Sequence, residues 1–246
     1  MHIHPVRRYT LTCLTALGLL CAAPAQAADA SPGATLLASP VRPDKDRQAD
    51  ARRQPLELLK FAQVAPGMKV LDIASGGGYT AQVLALAVGP TGKVWAQVAK
   101  PSAALEARLA AQPQANLEIL TRPFEDLTPP ELPPLDVVTL ILSYHDIAAT
   151  PVDRAKMNAA IFKALKPGGH LVVMDHSAKA GTGITEVSNL HRIDEQTVRT
   201  EFLAAGFKLD GQVSTWANPA DTRQEHSSKM ATPPSDRFAL RFVRID

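Results

Sequence analysis

Cysteine is almost absent from this sequence. Only Cys13 and Cys21 occur among the 246 residues, and both lie in a predicted N-terminal leader. Once the leader is removed, the chain would contain no cysteine. This excludes a disulfide bond, a thiolate nucleophile and a cysteine-ligated zinc site from the mature protein.

Net charge is also small, and this argues against two classes of partner. The chain has 26 basic and 24 acidic residues, and two of the basic ones, Arg7 and Arg8, lie in the leader. The remaining chain would therefore carry equal numbers of each sign. Surfaces that bind nucleic acid or anionic membranes are usually basic, so we expect neither partner.

Residues 1–27 have the features of a cleavable export signal. Arg7 and Arg8 precede an apolar run over residues 9–23, and Ala25-Gln26-Ala27 forms an A-x-A cleavage site. The run is shorter than the roughly 20 residues of a membrane-spanning helix, so we expect no stable membrane insertion after cleavage. We expect a periplasmic or secreted protein. An uncleaved anchor is the alternative, and the arginine pair leaves both the Sec and the twin-arginine routes open.

The rest of the chain divides into a short linker and one domain. Residues 28–48 contain several prolines and no apolar period, which predicts a flexible linker. Residues 49–246 alternate between strand-like and helix-like segments, which predicts a doubly wound, Rossmann-like α/β sheet of about seven strands. The last two strand segments, 207–213 and 238–243, have no helix between them and should form an antiparallel pair.

One glycine-rich turn indicates a ligand site. A short apolar strand ends at Asp72-Ile73, and Gly76 to Gly78 lead into a helix that begins near Tyr79. Glycines let the backbone approach a ligand, and a helix N-terminus presents free N–H groups. Ligands of open α/β sheets bind outside the carboxyl ends of the strands. The spacing does not match a dinucleotide fingerprint, because the acid precedes the turn.

This turn resembles the first motif of class I methyltransferases, which is an acid followed by alternating glycines. The segments Leu165–Leu171 and Ala204–Phe207 resemble the turns before the fifth and sixth strands of that family. More narrowly, the chain is similar to a bacterial group of predicted exported methyltransferases. The shared segments are Gly76–Tyr79, Tyr144–Asp146, His191–Asp194 and Asn218–Asp221.

The resemblance covers about residues 50–246 and implies the class I methyltransferase fold, S-adenosylmethionine as cofactor and a methyltransferase that acts on a small molecule. It carries no settled acceptor and no oligomeric state. Glu125 and Asp126 lie where the family often places an acid near the adenine. The implied cofactor-binding residues are Asp72, Ala74, Ser75, Gly76, Gly77, Gly78, Tyr79, Thr80, Gln97, Glu125 and Asp126.

The chain departs from the family pattern at two positions. Ala74 stands where the first loop glycine is usual, and a positive φ there costs about 1 kcal/mol or more. Gln97 lies near the end of the second strand, where the family has an acid that binds both ribose hydroxyls. A neutral amide binds hydroxyls more weakly than a carboxylate does. These departures keep a second function open, a non-catalytic protein that binds a small ligand.

Polar residues follow two apolar strands and suggest a reactive site. Tyr144-His145-Asp146 follows residues 135–142, and Asp175-His176 follows residues 171–174. His145, oriented by Asp146, is the first candidate for a general base, and His176 is the second. Alternatively, His145, Asp146 and His176, with His191 as a further candidate, would bind a divalent metal in a metal-dependent enzyme.

Two residues near this group have competing structural roles. Asp194 precedes a predicted helix and suits its N-cap. Arg192, together with His191, is expected on the surface of a loop that folds over the site.

Overall fold

The computed structural model describes residues 1–2, 32–230 and 232–245. Apart from Met1 and His2, the predicted leader with its two cysteines lies outside the described residues and stays a prediction. Within the part of the chain that is described, no helix is both long enough and apolar enough to cross a membrane.

Seven strands form a single sheet. They are β1 (Lys69–Ile73), β2 (Lys93–Val98), β3 (Leu117–Thr121), β4 (Leu135–Ile141), β5 (Leu165–His176), β6 (Lys208–Val213) and β7 (Arg237–Val243). Their order is β3-β2-β1-β4-β5-β7-β6. Strands β1 to β5 are parallel, and β7 runs antiparallel to β5 and β6. This confirms the predicted Rossmann-like sheet and its antiparallel C-terminal pair.

Helices connect and cover the strands. Among the described residues they are α1 (Pro32–Leu37), α2 (Asp44–Arg53), α3 (Pro55–Phe61), α4 (Tyr79–Val88), α5 (Ala103–Ala111), α6 (Tyr144–Ala148), α7 (Arg154–Ala164), α8 (Val187–Leu190) and α9 (Glu195–Ala204). Short 3₁₀ turns occur at Phe124–Asp126 and Ser227–Lys229.

An apolar core lies on each face of the sheet. Side chains alternate between the faces of a strand, so Val70 and Val137 enter one core and Leu71 and Val138 enter the other. Residues of α4 and α5 complete the first core, and residues of α7 and α9 complete the second. Because β1 and β4 are neighbours while their crossover helices cover opposite faces, a crevice opens at their carboxyl ends.

Helices α1 and α2 correct the linker prediction over residues 32–48. Helix α2 has no apolar stripe, and for this reason a search for apolar periodicity does not detect it. It has acids in its first turn and Arg52 and Arg53 in its last, a pattern that suits the helix dipole. It ends before Pro55, since a residue that precedes proline disfavours the helical conformation.

Strand β5 also differs from the prediction. It extends through Asp175 and His176, which were expected in the loop after residue 174. In addition, β5 lies beside β4 and is separated from β1 by that strand. Asp175 and His176 are consequently held by strand pairing with β7. The segment after β4 forms the short helix α6.

Candidate functional site

A cavity of about 460 Å³ opens at the carboxyl ends of β1 and β4. Its volume lies within the range of about 300–1,000 Å³ that is usual for small-molecule sites. Its walls come from the turn after β1, from helix α2 and from the segment after β4. Of the predicted cofactor-binding residues, those that line it are Asp72, Ala74, Ser75, Gly76, Gly77, Tyr79 and Thr80.

The turn after β1 depends on left-handed backbone at three positions. Ala74, Gly76 and Gly78 have φ values of 52°, 55° and 81°. Ala74 therefore adopts the conformation that the family usually assigns to glycine, at a cost of about 1 kcal/mol. A Cβ added at Gly77 would meet no protein atom within 4 Å, so this residue leaves the cavity open to a ligand.

Gly78 has a different role from Gly77. A Cβ at Gly78 would lie 2.5 Å from Leu105 Cδ1, so the absence of a side chain lets α4 begin close to α5. Gly78 is the N-cap of α4 and is not among the cavity-lining residues. It was predicted to bind the cofactor, and the structure gives it a packing function.

Asp72 is buried beneath the turn, with 1% of its surface exposed. Its Oδ1 accepts a hydrogen bond from the Thr139 hydroxyl at 2.6 Å, and its Oδ2 accepts one from the Ser75 hydroxyl at 2.6 Å. Burial raises the pKa of Asp72 to about 6, against the opposing effect of these two hydrogen bonds. The carboxylate positions the turn and lies at the wall of the cavity.

Gln97 ties the turn to β2 and to the end of β3. It is fully buried, and its Oε1 accepts a hydrogen bond from the Ala74 backbone N–H at 2.9 Å. Its Nε2 donates to the Arg122 carbonyl at 2.6 Å. Because both ends of the amide are engaged within the protein, the structure gives Gln97 a positioning role, and its contact with ribose hydroxyls stays a prediction.

The two acids predicted at the adenine end do not line this cavity. Asp126 forms an ion pair with Arg122, and the Glu125 carboxylate accepts a hydrogen bond from the Asp153 backbone N–H at 3.3 Å. Both residues lie in the 3₁₀ turn after β3. These contacts stabilise that turn and the start of α7.

Helix α2 forms a wall of the cavity that the sequence did not reveal. Arg108 of α5 binds the Asp46 carboxylate through two nitrogens, at 2.5 and 3.1 Å, and each side chain is 7% exposed. The Arg108 Nε also donates to the Gly77 carbonyl at 2.5 Å. One guanidinium thus connects α2, α5 and the glycine turn.

The α2 wall presents positive charge to the cavity. Lys45, Arg52 and Arg53 line it, and within residues 32–230 and 232–245 no ion pair joins them to a carboxylate. The Arg53 guanidinium lies over the Tyr79 ring at 4.5 Å from its centroid. Burial lowers the pKa of Arg53, which nevertheless remains a cation. These side chains suit an anionic group such as a ligand carboxylate.

A second cluster lies at the rim of the cavity, where the ends of β4 and β5 meet the segment after α8. His145 is buried, and its Nδ1 donates to Asp175 Oδ1 at 2.6 Å. Its Nε2 lies 3.2 Å from Asp146 Oδ1 and 3.2 Å from His191 Nδ1. His191 Nδ1 is 3.3 Å from the same Asp146 oxygen. Asp146 also lines the cavity and so belongs to both groups.

The charge state of His145 conflicts with its predicted role as a general base. Burial alone would lower the pKa of this imidazole, but the Asp175 and Asp146 carboxylates outweigh that effect and raise the pKa to about 10. Without another ligand the ring is protonated at neutral pH, and an imidazolium cannot accept a proton.

His176 lies beside this cluster, and its backbone N–H donates to Asp175 Oδ1 at 2.7 Å. Within the part of the chain that is described, its ring makes no hydrogen bond to His145, Asp146 or His191. Its ring centroid is 5.6 Å from that of His145, and its Nδ1 contacts the Ser235 hydroxyl at 2.7 Å. Burial lowers the pKa of His176 to about 3, so the ring is neutral. It does not line the cavity, and the structure gives it a packing position behind His145.

Residues next to His191 explain why the chain places it there. His191 has a left-handed φ of 49° at the end of α8. Arg192 was expected on the surface, but it is fully buried and forms an ion pair with Asp221 at 2.8 Å. Asp194 caps α9 as predicted, because its side chain accepts a hydrogen bond from the Gln196 N–H. Both contacts hold the segment that carries His191 against the sheet.

Comparisons with known proteins agree with this architecture. The sequence profile of the ubiE/COQ5 methyltransferase family matches residues 52–191. The ubiquinone/menaquinone biosynthesis C-methyltransferase UbiE of Burkholderia multivorans is 32% identical over 122 residues, which are 47% of this chain and 46% of that protein. The Bordetella avium protein of the same name is 34% identical over 125 residues, or 48% and 45%. The chain spans about half the length of these curated relatives.

A solved structure shows the same fold. The crystal structure of an S-adenosylmethionine-dependent methyltransferase from Aquifex aeolicus superposes with a TM-score of 0.57 at 20% identity, covering 82% of this chain and 97% of that one. The family match includes the glycine turn, most of the residues that line the cavity and His191, and it extends over more than half of the chain. The chain belongs to the ubiE/COQ5 methyltransferase family, in agreement with the class I resemblance.

Proposed function

We propose that this chain is an S-adenosylmethionine-dependent methyltransferase with a small-molecule acceptor. The observation that carries the proposal is the turn Ala74–Gly77, which lines a cavity at the carboxyl end of β1 and leaves the space beside Gly77 open. Family membership and the solved relatives support the same activity. The chain spans only about half the length of the curated relatives, so the acceptor of those proteins is not assigned to it.

The residues present fit the cofactor. S-adenosylmethionine supplies an electrophilic methyl group on a sulfonium, together with an α-carboxylate. Backbone N–H groups of the turn and of the start of α4 would hold it above Asp72. Arg52 and Arg53 line the same cavity, form no ion pair with a carboxylate of the described residues and would bind the ligand carboxylate.

Asp146 indicates where the acceptor binds. It lines the cavity and contacts His145 and His191, so an acceptor beside it would lie between the cofactor and the two imidazoles. Burial would raise the pKa of Asp146, but His145 and the neighbouring imidazoles outweigh this and lower it. The resulting anion accepts a hydrogen bond from an acceptor hydroxyl or amine and orients it for attack on the methyl carbon.

Calorimetric titration with S-adenosylmethionine tests this function. We expect saturable binding by the wild-type protein and none by Gly77→Leu, whose side chain would enter the open space of the cavity. Ala110→Leu is the matched control, because Ala110 is exposed on α5 away from the cavity lining. Absence of heat from the wild-type protein at millimolar ligand would overturn the proposal. Binding without methyl transfer to any acceptor would instead indicate a non-catalytic ligand-binding protein.

We further propose that residues 1–27 direct export to the periplasm or the medium. Arg7-Arg8, the apolar run and the A-x-A site support this assignment. The cofactor is made in the cytoplasm, so export would have to supply it with the protein. Twin-arginine export of a folded, cofactor-loaded chain would meet that requirement.

A further inference from the structure

We propose that His145, His191 and Asp146 bind one divalent transition-metal ion at the rim of the cavity. Of the metal ligands suggested by the sequence, this set keeps His145 and Asp146. It adds His191 as a full ligand and omits His176, whose Nδ1 contacts Ser235.

The three ligand atoms form a nearly equilateral triangle. His145 Nε2, His191 Nδ1 and Asp146 Oδ1 are separated by 3.2, 3.2 and 3.3 Å. Ligands about 2.1 Å from an ion are about 3.0 Å apart at adjacent octahedral positions and about 3.4 Å apart in a tetrahedron. The observed separations lie between these values, so one ion can contact all three atoms without rearrangement of the backbone.

Asp175 supplies the outer contact that metal-bound histidines require. Its carboxylate is fully buried and accepts the Nδ1–H of His145 at 2.6 Å and the His145 backbone N–H at 2.9 Å. This arrangement fixes the tautomer in which His145 Nε2 carries a lone pair, and it orients that lone pair toward His191 and Asp146.

The same arrangement needs a cation at the centre of the triangle. A neutral His145 would direct its Nε2 lone pair at a carboxylate oxygen only 3.2 Å away, which is repulsive. A proton or a metal ion removes the repulsion. A metal ion would also bind the lone pair of His191 Nδ1. A proton on His145 Nε2 would instead have to form a bifurcated hydrogen bond to both Asp146 Oδ1 and His191 Nδ1.

The ligand types and their exposure favour a transition metal that remains open to a substrate. Two imidazoles and one carboxylate suit Zn²⁺ or Fe²⁺, whereas Mg²⁺ prefers oxygen ligands. The His191 and Asp146 side chains are 41% and 57% exposed, so an ion can enter and can keep free coordination positions. If the proposed function holds, these positions face the cavity through Asp146 and would bind an oxygen of the acceptor.

Zinc titration of the full-length protein tests the site. The protein is purified without a polyhistidine tag, stripped with a chelator and titrated by calorimetry with Zn²⁺ and, separately, with Mg²⁺. His191→Ala and Asp146→Asn remove exposed ligands and should leave the fold intact, which circular dichroism checks. His226→Ala is the matched control, because its ring centroid lies 4.4 Å from that of His191, with the rings tilted by 45°, but it is not one of the three ligands. A double variant, His2→Ala with His4→Ala, controls for binding by the leader.

We expect one Zn²⁺ per wild-type chain and no comparable binding of Mg²⁺. Each ligand variant should lose at least tenfold in zinc affinity, and both controls should bind as the wild type does. A wild-type protein that binds no stoichiometric zinc, or a His191→Ala variant with unchanged affinity, would overturn the assignment. Cofactor binding is measured separately with Gly77→Leu, so either result can fail without the other.

Discussion

At the scale of single residues, the site combines groups that favour folding with groups that oppose it. Ser75 and Thr139 satisfy the Asp72 carboxylate, yet its burial still raises its pKa to about 6. Ala74 is held in a left-handed conformation that costs about 1 kcal/mol. Strained or poorly solvated residues are common at ligand sites, because the binding geometry rather than stability selects them.

We expect Asp72→Asn to stabilise the protein above pH 6 while weakening cofactor binding. The pKa of Asp72 is about 6 in the folded protein and near the ordinary aspartate value of 3.8 in the unfolded chain. The folded state therefore holds this proton more tightly, and the contribution of Asp72 to stability falls as the pH rises from about 4 to about 6, by roughly 3 kcal/mol in total.

Urea denaturation of both proteins across this pH range measures the effect. The other titrating groups are shared, so the difference in unfolding free energy isolates Asp72. The unfolding free energy of the variant should increase relative to that of the wild type as the pH rises from about 4 to about 6. A difference that does not change with pH would contradict the expectation.

Two adjacent glycines should respond differently to the same substitution. Gly78→Ala should destabilise the protein by about 1–3 kcal/mol, because it combines a φ of 81° with a Cβ 2.5 Å from Leu105. Gly77→Ala should change stability by less than about 1 kcal/mol, since its φ lies outside the left-handed region and its Cβ has space. Thermal unfolding compares the two, and equal losses would show that this distinction is wrong.

At the scale of elements, α2 differs from the other long helices because ion pairs, rather than buried apolar side chains, attach it to the rest of the domain. Its only buried residue is Asp46, whose partner Arg108 also contacts Gln82 and the glycine turn. Arg42 adds an ion pair with Asp50, and Asp50 in turn accepts the Tyr79 hydroxyl. Helix α2 and the glycine turn are therefore held by the same guanidinium, and both line the cavity.

Asp46→Ala should loosen α2 and expose the cavity. It leaves the Arg108 guanidinium, 7% exposed, without its carboxylate, and removing one partner of a buried pair typically costs about 3–5 kcal/mol. We expect faster proteolysis near residues 40–53 and weaker cofactor binding. Asp44→Ala is the control on the same helix, because its pair with Arg47 is exposed and worth at most about 1 kcal/mol. Equal protease sensitivity of the two variants would contradict this role of Asp46.

At the scale of the whole molecule, export and cofactor supply have to be compatible. If the twin-arginine route carries the folded protein, replacing Arg7 and Arg8 by lysine should retain it in the cytoplasm. Cell fractionation with N-terminal sequencing of the exported form should find a new N-terminus at Ala28. Export that persists in the lysine variant would indicate the Sec route, and an intact N-terminus would indicate an anchor.

The fold and the place of the cavity beside the glycine turn could be predicted from the sequence. Most strands and the long helices carry local signals, because apolar periodicity and proline or glycine breaks act over a few neighbouring residues. The predicted end of the first strand at Ile73 and the predicted start of the next helix near Tyr79 agree with the structure. The order of strand, acid, glycine turn and helix also placed the cavity, since ligands bind where parallel strands end.

The partners of the polar side chains could not be predicted from the sequence. Gln97 occupies the sequence position of a cofactor-binding acid. In the structure, its side-chain amide forms hydrogen bonds with the backbone of Ala74 and Arg122. His191 is 46 residues from His145, and a buried Arg192 brings them together. Helix α2 is stabilised by Arg108, which is 62 residues from Asp46. Hydrogen bonds and ion pairs join single atoms across any sequence separation, so they leave no periodic pattern from which they can be predicted.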